Sequence, residues 1–456
     1  MVDDLSVVIL AAGQGLRMRS DLPKVLHTLG GKPMLSRVIE TALSLTQDVQ
    51  VVVGHAKEQL QRQIDLPVRW IEQAEQLGTA HAVKMALPYI SDYKGKTLIL
   101  YGDIPCIDTS NLTALVEKEN KESLVLLTDI SDMPTGYGRI IRDLAGKIAR
   151  IVEEKDASKE EKQIKEINTG IYLVPNPYLH LWLKNIKNHN AQGEYYLTDI
   201  IQLAYEAGVC IESVQVSHSY LTMGVNNSIQ LAKLERLFQQ QQAEQLMQKG
   251  LTLRDPSRFD LRGTICFGKD VVVDVNVVFE GKNVLGNQVT IGANCVLKDV
   301  TIRDGATIYP FSHLEDCVVN EDVKVGPYAR LRPKATLARG SQVGNFVEIK
   351  SAQIGQKSKV NHLSYIGDTT VGENTNIGAG TVTCNYNGVT KYRTTIGADC
   401  FIGSGTMLVA PVTVGDGATV AAGSTITKSC PEKQLTIARS KQVSLSGWHR
   451  PKKEEK

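Results

Sequence analysis

From Val325 to Ile426 aliphatic residues stand at every sixth position, with two five-residue steps and one interruption. Val325, Leu331, Leu337, Val343 and Ile349 form the first run; Ile354, Val360 and Ile366 follow, then Val371 and Ile377. The series resumes at Ile396 and continues through Ile402, Leu408, Val414, Val420 and Ile426. A weaker version reaches back from Ile308 through Ile302, Leu297, Ile291 and Leu285 to Ile265. Small residues often sit four places later, as at Ala329, Ala335, Ser341, Ser358 and Ser364, and glycine often follows the aliphatic residue directly. A hexapeptide period predicts a parallel β-helix. Three hexapeptides close one triangular coil of about 18 residues, and some ten coils stacked about 4.8 Å apart make a prism on the order of 45 Å long. The aliphatic and small positions point inward, and the glycines suit corners where a Cβ would be crowded. The open last coil is an aggregation edge unless the C-terminal tail covers it.

Residues 5–225 keep a different rhythm. The β-branched runs SVVIL, VQVVVG, TLILYGD and SLVLLT alternate with amphipathic stretches near Met34–Leu45 and Ala80–Leu87. That alternation predicts a Rossmann-like α/β domain with a largely parallel sheet. Between the two patterns, SIQLAKLERLFQQQQAEQLMQKG has apolar residues at Ile229, Leu234, Leu237, Phe238, Leu246 and Met247, and no breaker before Gly250. It reads as one helix with an apolar stripe; the heptads of a coiled coil are never completed. The expected organisation is an α/β domain over 1–228, a linker helix over 229–250 and a β-helix domain over 251–456. The chain is expected to end in a docked aromatic, Trp448, and a solvated tail.

Bulk properties narrow the function classes. The chain's 456 residues exceed one ordinary domain. A net charge of +2, 5% aromatic residues and no long basic run give no footing for nucleic acid or a membrane surface. The start, MVDDLSVVILAAG, has acids where a signal peptide needs cations, and its apolar run is too short to span a bilayer. A cytoplasmic protein is expected. Eight cysteines (106, 210, 266, 295, 317, 384, 400, 430) lack Cys-x-x-Cys spacing, which predicts reduced thiols rather than disulfides or a zinc cluster.

Candidate chemistry begins at the end of the first strand, Leu10-Ala11-Ala12-Gly13-Gln14-Gly15-Leu16-Arg17-Met18, with Pro23-Lys24 close behind. Glycines let backbone N–H groups approach phosphate oxygens, and Arg17 and Lys24 add charge to neutralise a triphosphate. The string lacks the Gly-Lys-Ser/Thr ending of a Walker loop and the GxGxxG fingerprint of dinucleotide folds. Taken alone it is equally an ordinary strand-to-helix turn. Tyr101-Gly102-Asp103 ends another strand, at the edge where α/β sheets place ligands. An acid there suits Mg²⁺, which takes few carboxylates beside phosphate oxygens; the alternative for Asp103 is a loop cap.

LAAGxGxRM with PK resembles the sugar-nucleotide pyrophosphorylases, which join a sugar 1-phosphate to a nucleoside triphosphate. Further strings fit: Gln73-Ala-Glu-Gln-Leu-Gly78-Thr79, Gly136-Tyr-Gly138-Arg, Val152-Glu153-Glu-Lys, Asn168-Thr-Gly and Gly224-Val-Asn226-Asn. Over essentially its whole length the chain resembles a bifunctional family. Those enzymes acetylate glucosamine 1-phosphate from acetyl-CoA, then join N-acetylglucosamine 1-phosphate to UTP, supplying peptidoglycan and lipopolysaccharide precursors. The resemblance implies that Leu10, Ala11, Ala12, Gly13, Lys24, Tyr101 and Gly102 line the uridylyl site, with Arg17 and Lys24 catalytic. It also implies that Asp103 and Asn226 hold Mg²⁺, that Gln73, Gly78 and Thr79 read uracil, and that Gly138, Glu153 and Asn168 bind the sugar.

In the repeat domain the exceptions to the period point to a second site. Arg332, Lys350 and Asn361 occupy the place where glycine is usual, and Arg332 and Lys350, 18 residues apart, should stack on successive coils. Two stacked cations repel by roughly a kcal/mol at about 5 Å in a water-like dielectric. Folding has no need of such a pair, and a phosphate between them neutralises both; splayed surface cations are the plain alternative. His362 and Tyr365 face outward, with Glu348 one coil earlier at the register of Tyr365, close enough to orient the imidazole. A lone histidine is also commonly a surface residue. Only His313 and His362 occur among the regular coils, so a three-histidine zinc site has no support. Residues 383–395 interrupt the repeats as an inserted loop, a common carrier of function on a rigid scaffold.

This arrangement resembles the β-helical acyltransferases, trimers of left-handed helices (an exception to the usual crossover rule) that bind acetyl-CoA along the prism. The likeness implies His362 as general base with Glu348 beside it. It implies Arg332, Lys350, Tyr365 and Asn376 on the amino-sugar phosphate, joined by Lys391 from a neighbouring subunit. Ala379, Asn385, Tyr386, Ser404, Ala422 and Arg439 are implied as acetyl-CoA contacts. Cys384 invites a ping-pong acyl-thiol route, although a neutral loop cysteine is usually inert. Two rivals stand beside this reading: a single-function pyrophosphorylase whose β-helix only oligomerises, and a non-catalytic scaffold built from the same domains.

Overall fold

The computed structural model describes residues 4–13, 15–90, 94–118, 120 and 122–451. Gln14 of the glycine loop and the tail residues 452–456 lie outside the described residues. The chain divides into two compact units, Met1–Phe238 and Gln239–Lys456.

In the first unit the strands run in chain order β1 Leu5–Ala11, β2 Thr28–Leu29, β3 Lys32–Pro33, β4 Val49–Val53, β5 Arg69–Glu72, β6 Lys96–Tyr101, β7 Leu124–Ile130, β8 Arg139–Arg142, β9 Ile148–Val152, β10 Glu166–Pro175 and β11 Ile211–Gln215. The main sheet has the order β11-β7-β10-β6-β1-β4-β5. Its pairings are parallel except where β10 runs antiparallel to β6 and β7. β1 is buried at every residue, which is why it reads as an unbroken apolar run rather than an alternating one. Helices α1 Met34–Leu43, α2 Lys57–Gln63, α3 Thr79–Ala86, α4 Thr109–Lys118, α5 Asn176–Asn185 and α6 Asp199–Glu206 cover the sheet. One apolar cluster gathers Val38, Ile39 and Leu112 from α1 and α4; a second gathers Val83, Leu179 and Ile200 from α3, α5 and α6.

Helix α7, Ser228–Gln248, carries the chain from the first unit to the second. Its buried residues include Leu234, Gln239, Ala243 and Leu246, whereas Ile229 and Met247, expected on the stripe, are exposed. Ile229 lies five positions before Leu234, about 140° round the helix. Gln239 takes an inward place because its amide satisfies strand backbone: it accepts from Leu261 N at 2.8 Å and donates to Leu261 O at 3.0 Å.

The second unit is a stack of short parallel strands in ladders of 11 and 17. In the first ladder Val325 pairs with Val343, Val343 with Val360, Val360 with Ile377, Ile377 with Ile402 and Ile402 with Val420. Each step is one coil, and the long step from Ile377 to Ile402 carries the insertion. The ladder begins at Thr252–Leu253, well before Ile265 where the sequence signal fades. Tyr328, Phe346 and Leu363 turn one corner in the left-handed conformation, and Lys334, Ser351 and Asp368 turn another. The glycines that follow aliphatic residues serve a different need. A Cβ on Gly344 would meet Asn361 O at 2.1 Å, and one on Gly403 would meet Ala422 N at 2.3 Å. The crowding expected there comes from the neighbouring coil. Trp448 departs from expectation: it is 67% exposed, in a stretch of chain without strand or helix. Among the described residues no helix is long and apolar enough to cross a membrane.

Candidate active sites

β1 and β6 are parallel neighbours, so their C-terminal ends deliver the glycine loop and Tyr101-Gly102-Asp103 to one edge of the sheet. Gly102 N donates to Leu10 O at 2.9 Å. Gly15 has a φ of 64°, and a Cβ there would lie 2.6 Å from Lys24 Cβ, so only glycine lets Lys24 fold over the loop. Arg17 Nη2 donates to Asn226 Oδ1 at 2.9 Å and Lys24 Nζ to the same oxygen at 3.3 Å. Lys24 also forms an ion pair with Asp103, and Val225 N donates to Asp103 O at 3.0 Å. Four residues from three distant segments are thereby brought together.

Two clefts adjoin this knot. Ala11, Ala12, Gly13 and Lys24 line one of about 240 Å³, with Leu10 buried in the strand behind them. Arg17, Thr79, Tyr101, Glu153 and Asn168 line the other, of about 640 Å³. Gly138 stands at its wall, where a Cβ would lie 3.5 Å from both Asn168 Cβ and Glu153 Oε1. Gln73 is buried; its Nε2 donates to Gly78 O at 3.2 Å and lies 3.0 Å from His81 Nδ1. Its amide therefore pins the Gly78–Thr79 turn.

Sequence reading missed part of this wall. Glu194, Tyr196 and Thr198 line the larger cleft, and Asp199 stands beside them. Burial lifts the Glu153 carboxyl above its ordinary range against a hydrogen bond with Thr198, with Asp156 and Asp199 adding to the lift. Burial, then Asp156, pushes Asp199 up to about 6. The only signal available was the cluster Gly193-Glu194-Tyr195-Tyr196, aromatic and acidic in a stretch of no regular period.

Among the described residues no three His, Cys, Asp or Glu side chains gather to hold a metal ion. The donor set implied for Mg²⁺ is of another kind, one carboxylate and one amide oxygen. Asp103 and Asn226 share the Lys24 ammonium as a common cationic partner, so both oxygens already converge on one positive charge. Hard oxygen donors, few in number and at the edge of a cleft, fit Mg²⁺.

On the β-helix, Asn345 pairs in register with His362, and Asn345 Oδ1 lies 3.1 Å from His362 Nδ1. Glu348 sits at the register of Tyr365 as expected, but its carboxylate binds Arg332 at 2.8 Å. The imidazole's partner is thus Asn345 rather than Glu348, because the Arg332 guanidinium captures the carboxylate. Lys350 lies on the coil after Arg332, and Lys391 stands against it in the same chain. The Lys350 ammonium is held below its ordinary pKa, first by contact with Lys391 and then by the charge of Arg332. Lys391 therefore needs no neighbouring subunit to reach this cluster.

The inserted loop folds back on itself through a bridge between Tyr386 and Lys391. Asn385, implied as a cofactor contact, is buried, and its amide donates to Asp368 Oδ2 at 2.5 Å and Tyr365 OH at 3.5 Å. Asn376 pairs on the ladder between Lys359 and Phe401. Gly380 N donates to His362 O at 3.1 Å, Gly405 N to Ala379 O at 2.7 Å and Gly423 N to Ser404 O at 2.8 Å. His362, Ala379, Ser404 and Ala422 therefore form one column along a corner, which Arg439 closes by donating to Ala422 O at 2.7 Å. Cys384 is half-buried and free.

Residues 7–166 match the MobA-like NTP transferase domain, and residues 393–428 match the bacterial transferase hexapeptide (six repeats). The chain is 53% identical over 454 residues to the bifunctional protein GlmU of Chromobacterium violaceum, covering 99% of each chain. It is 54% identical over 452 residues to that of Neisseria meningitidis serogroup B, again covering 99% of each. For Ralstonia nicotianae the identity is 51% over 454 residues, 99% of this chain and 100% of the relative. With a nucleotidyltransferase unit and a hexapeptide transferase unit, both matched end to end in these relatives, the chain belongs to the bifunctional GlmU family.

Proposed function

We propose that the chain makes UDP-N-acetylglucosamine in two steps at two sites. Acetyl-CoA acetylates glucosamine 1-phosphate on the β-helix, and UTP then uridylylates N-acetylglucosamine 1-phosphate on the α/β unit, releasing pyrophosphate. The observation that carries this reading is the convergence of Arg17 and Lys24, from the glycine loop, on Asp103 and Asn226 at the edge of the larger cleft.

In the uridylyl step an oxygen of the sugar phosphate attacks the α-phosphorus of UTP in line with the departing pyrophosphate. No protein nucleophile is required, so positioning and charge neutralisation supply the catalysis. Arg17 and Lys24 offset charge on the phosphates. Gln73 fixes the turn on which Gly78 and Thr79 meet uracil, and Gly138, Glu153 and Asn168 receive the sugar. Asp103 and Asn226 would hold Mg²⁺, which when bound neutralises phosphate charge.

In the acetyl step the amine of glucosamine 1-phosphate attacks the thioester carbonyl while His362 accepts its proton. The coenzyme A thiolate leaves and takes a proton from the imidazolium. Arg332, Lys350 and Lys391 hold the sugar phosphate, with Tyr365 and Asn376 beside it. Acetyl-CoA lies along the column of Ala379, Ser404 and Ala422, near Tyr386 and Arg439, while Asn385 anchors the loop. His362 ends one face of the prism. The cations lie a corner and the strand Tyr365–Gly367 away on the same chain. That separation supports a trimer in which neighbouring copies complete each site.

The test omits components in turn from a mixture of protein, glucosamine 1-phosphate, acetyl-CoA, UTP and Mg²⁺. Thiol release is expected with the first two substrates alone, and pyrophosphate only with all of them. Asp103→Asn is expected to lose pyrophosphate release by about 10²-fold or more while keeping thiol release. His362→Ala is expected to lose thiol release by about 10²–10⁴-fold while keeping pyrophosphate release when N-acetylglucosamine 1-phosphate is supplied directly. Normal pyrophosphate release by Asp103→Asn would remove the metal site.

A further inference from the structure

A separate cavity of about 340 Å³ opens between α3 and α5 and shares no lining residue with the two clefts of the uridylyl site. Its floor is apolar, with Ala80, Leu183 and Ile186 buried. Its rim is basic: Lys84 and Lys184 are exposed, His81 joins them, and no carboxylate lines the cavity. A pocket of this size with apolar walls and a few convergent charges takes a small organic ligand, and paired ammonium groups select an anion.

The cavity is wired to the turn that carries Gly78 and Thr79. On one wall His81 Nδ1 lies 3.0 Å from Gln73 Nε2, which donates to Gly78 O at 3.2 Å. On the other wall Tyr195 N donates to Leu77 O at 2.8 Å and Ala80 N to Tyr195 O at 2.9 Å. Leu197 N then donates to Thr79 Oγ1 at 3.0 Å, and Tyr196 between them lines the sugar cleft. The seam has no slack, since Gly78 has a φ of 114° and a Cβ there would sit 2.6 Å from Tyr195 O. A ligand wedged against His81 and Tyr195 acts on both walls of the turn.

We propose that this cavity is a regulatory site for a small organic anion with an aromatic or branched-alkyl body, coupled to nucleotide binding through the Gln73–Gly78–Tyr195 seam. The coupling rests on the reading of Gly78 and Thr79 as uracil contacts; the anion site does not. Because coupling is reciprocal, UTP changes the anion's affinity by the factor by which the anion changes that of UTP.

The test uses the full-length protein with 1-anilinonaphthalene-8-sulfonate, an aromatic sulfonate, and its uncharged analogue N-phenyl-1-naphthylamine. The Lys84→Glu/Lys184→Glu double variant is expected to bind the sulfonate about tenfold more weakly, to bind the neutral dye as before, and to release pyrophosphate normally without dye. Saturating sulfonate is expected to shift the Kd of UTP by about threefold or more in the wild type and not in the double variant. Equal sulfonate affinity in the two proteins overturns the site. Charge-dependent sulfonate binding that leaves the Kd of UTP unchanged overturns the coupling. A Thr79→Ala protein with unaltered UTP affinity and intact sulfonate binding would place the failure in the uracil assignment instead.

Discussion

With Asn345 Oδ1 at 3.1 Å from His362 Nδ1, the amide oxygen holds a proton on that nitrogen and leaves the other with its lone pair free to take one from substrate. Asn345→Ala is expected to lower acetyl-transfer kcat by about tenfold to a hundredfold, part of the 10²–10⁴ that a positioned base supplies, with KM for acetyl-CoA little changed. Asn345→Asp keeps the geometry and adds a negative charge that favours the imidazolium, so the acid limb of kcat/KM should move to higher pH. An unmoved limb would show that the residue only packs. His362 stood out in the sequence as one of two histidines among the regular coils, next to the Asn361 that takes the usual glycine place; Asn345 did not, because it sits one coil away and only the register joins them. Asp199 was invisible for a similar reason, reaching the Glu153 wall by tertiary packing. Its carboxyl is pushed up from 3.8 to about 6, so between those values the folded state binds more protons than the unfolded one. Stability therefore falls as pH rises through that window. Asp199→Asn should flatten this fall, measured as Tm from pH 4 to pH 7; parallel curves for the two proteins would contradict the shift.

At the scale of elements, two glycines of the β-helix separate two physical demands. Gly344 follows Val343, and a Cβ there would lie 2.1 Å from Asn361 O on the next coil, beside His362. Gly340 turns a corner at a φ of 67°, with its nearest neighbour atom at 3.7 Å. The left-handed turn alone costs about 1–2 kcal/mol for alanine, and Asp322 and Lys357 already bear it at the same corner on the neighbouring coils. Gly344, whose backbone is outside the left-handed region, must as alanine push two coils apart instead. Gly344→Ala is therefore expected to lower the thermal midpoint of the β-helix unit by several degrees more than Gly340→Ala, and to reduce acetyl transfer as well. Equal losses would mean that backbone conformation, not coil spacing, selects glycine after the aliphatic residue. The six-residue period made the coils legible, because each inward aliphatic residue repeats one environment. The facing of α7 was harder to read, since Gln239 is buried through hydrogen bonds to Leu261 that hydropathy cannot register. The inserted loop was visible as a gap in the period, yet its return to Lys350 depends on a fold-back between Tyr386 and Lys391 that no local signal encodes.

For the whole molecule, the two compact units let each activity fail alone, while the acetyl site is proposed to need more than one copy. Within one chain His362 ends one prism face, and the Arg332–Lys350–Lys391 cluster lies past a corner at the far end of the next face. If neighbouring copies in a closed ring bring them together, the two halves can be supplied by different chains. His362→Ala and Lys350→Ala proteins, each deficient in thiol release, are unfolded together, mixed in equal amounts and refolded. A site is intact when its histidine comes from a Lys350→Ala chain and its cations from an adjoining His362→Ala chain. Random mixing makes that true of about a quarter of sites, so about a quarter of wild-type acetyl transfer should return. Pyrophosphate release from UTP and added N-acetylglucosamine 1-phosphate, confined to the first unit, should be unchanged throughout and reports that the chains refolded. Acetyl transfer that stays at the sum of the separate variants, with pyrophosphate release intact, would place the whole acetyl site on a single chain.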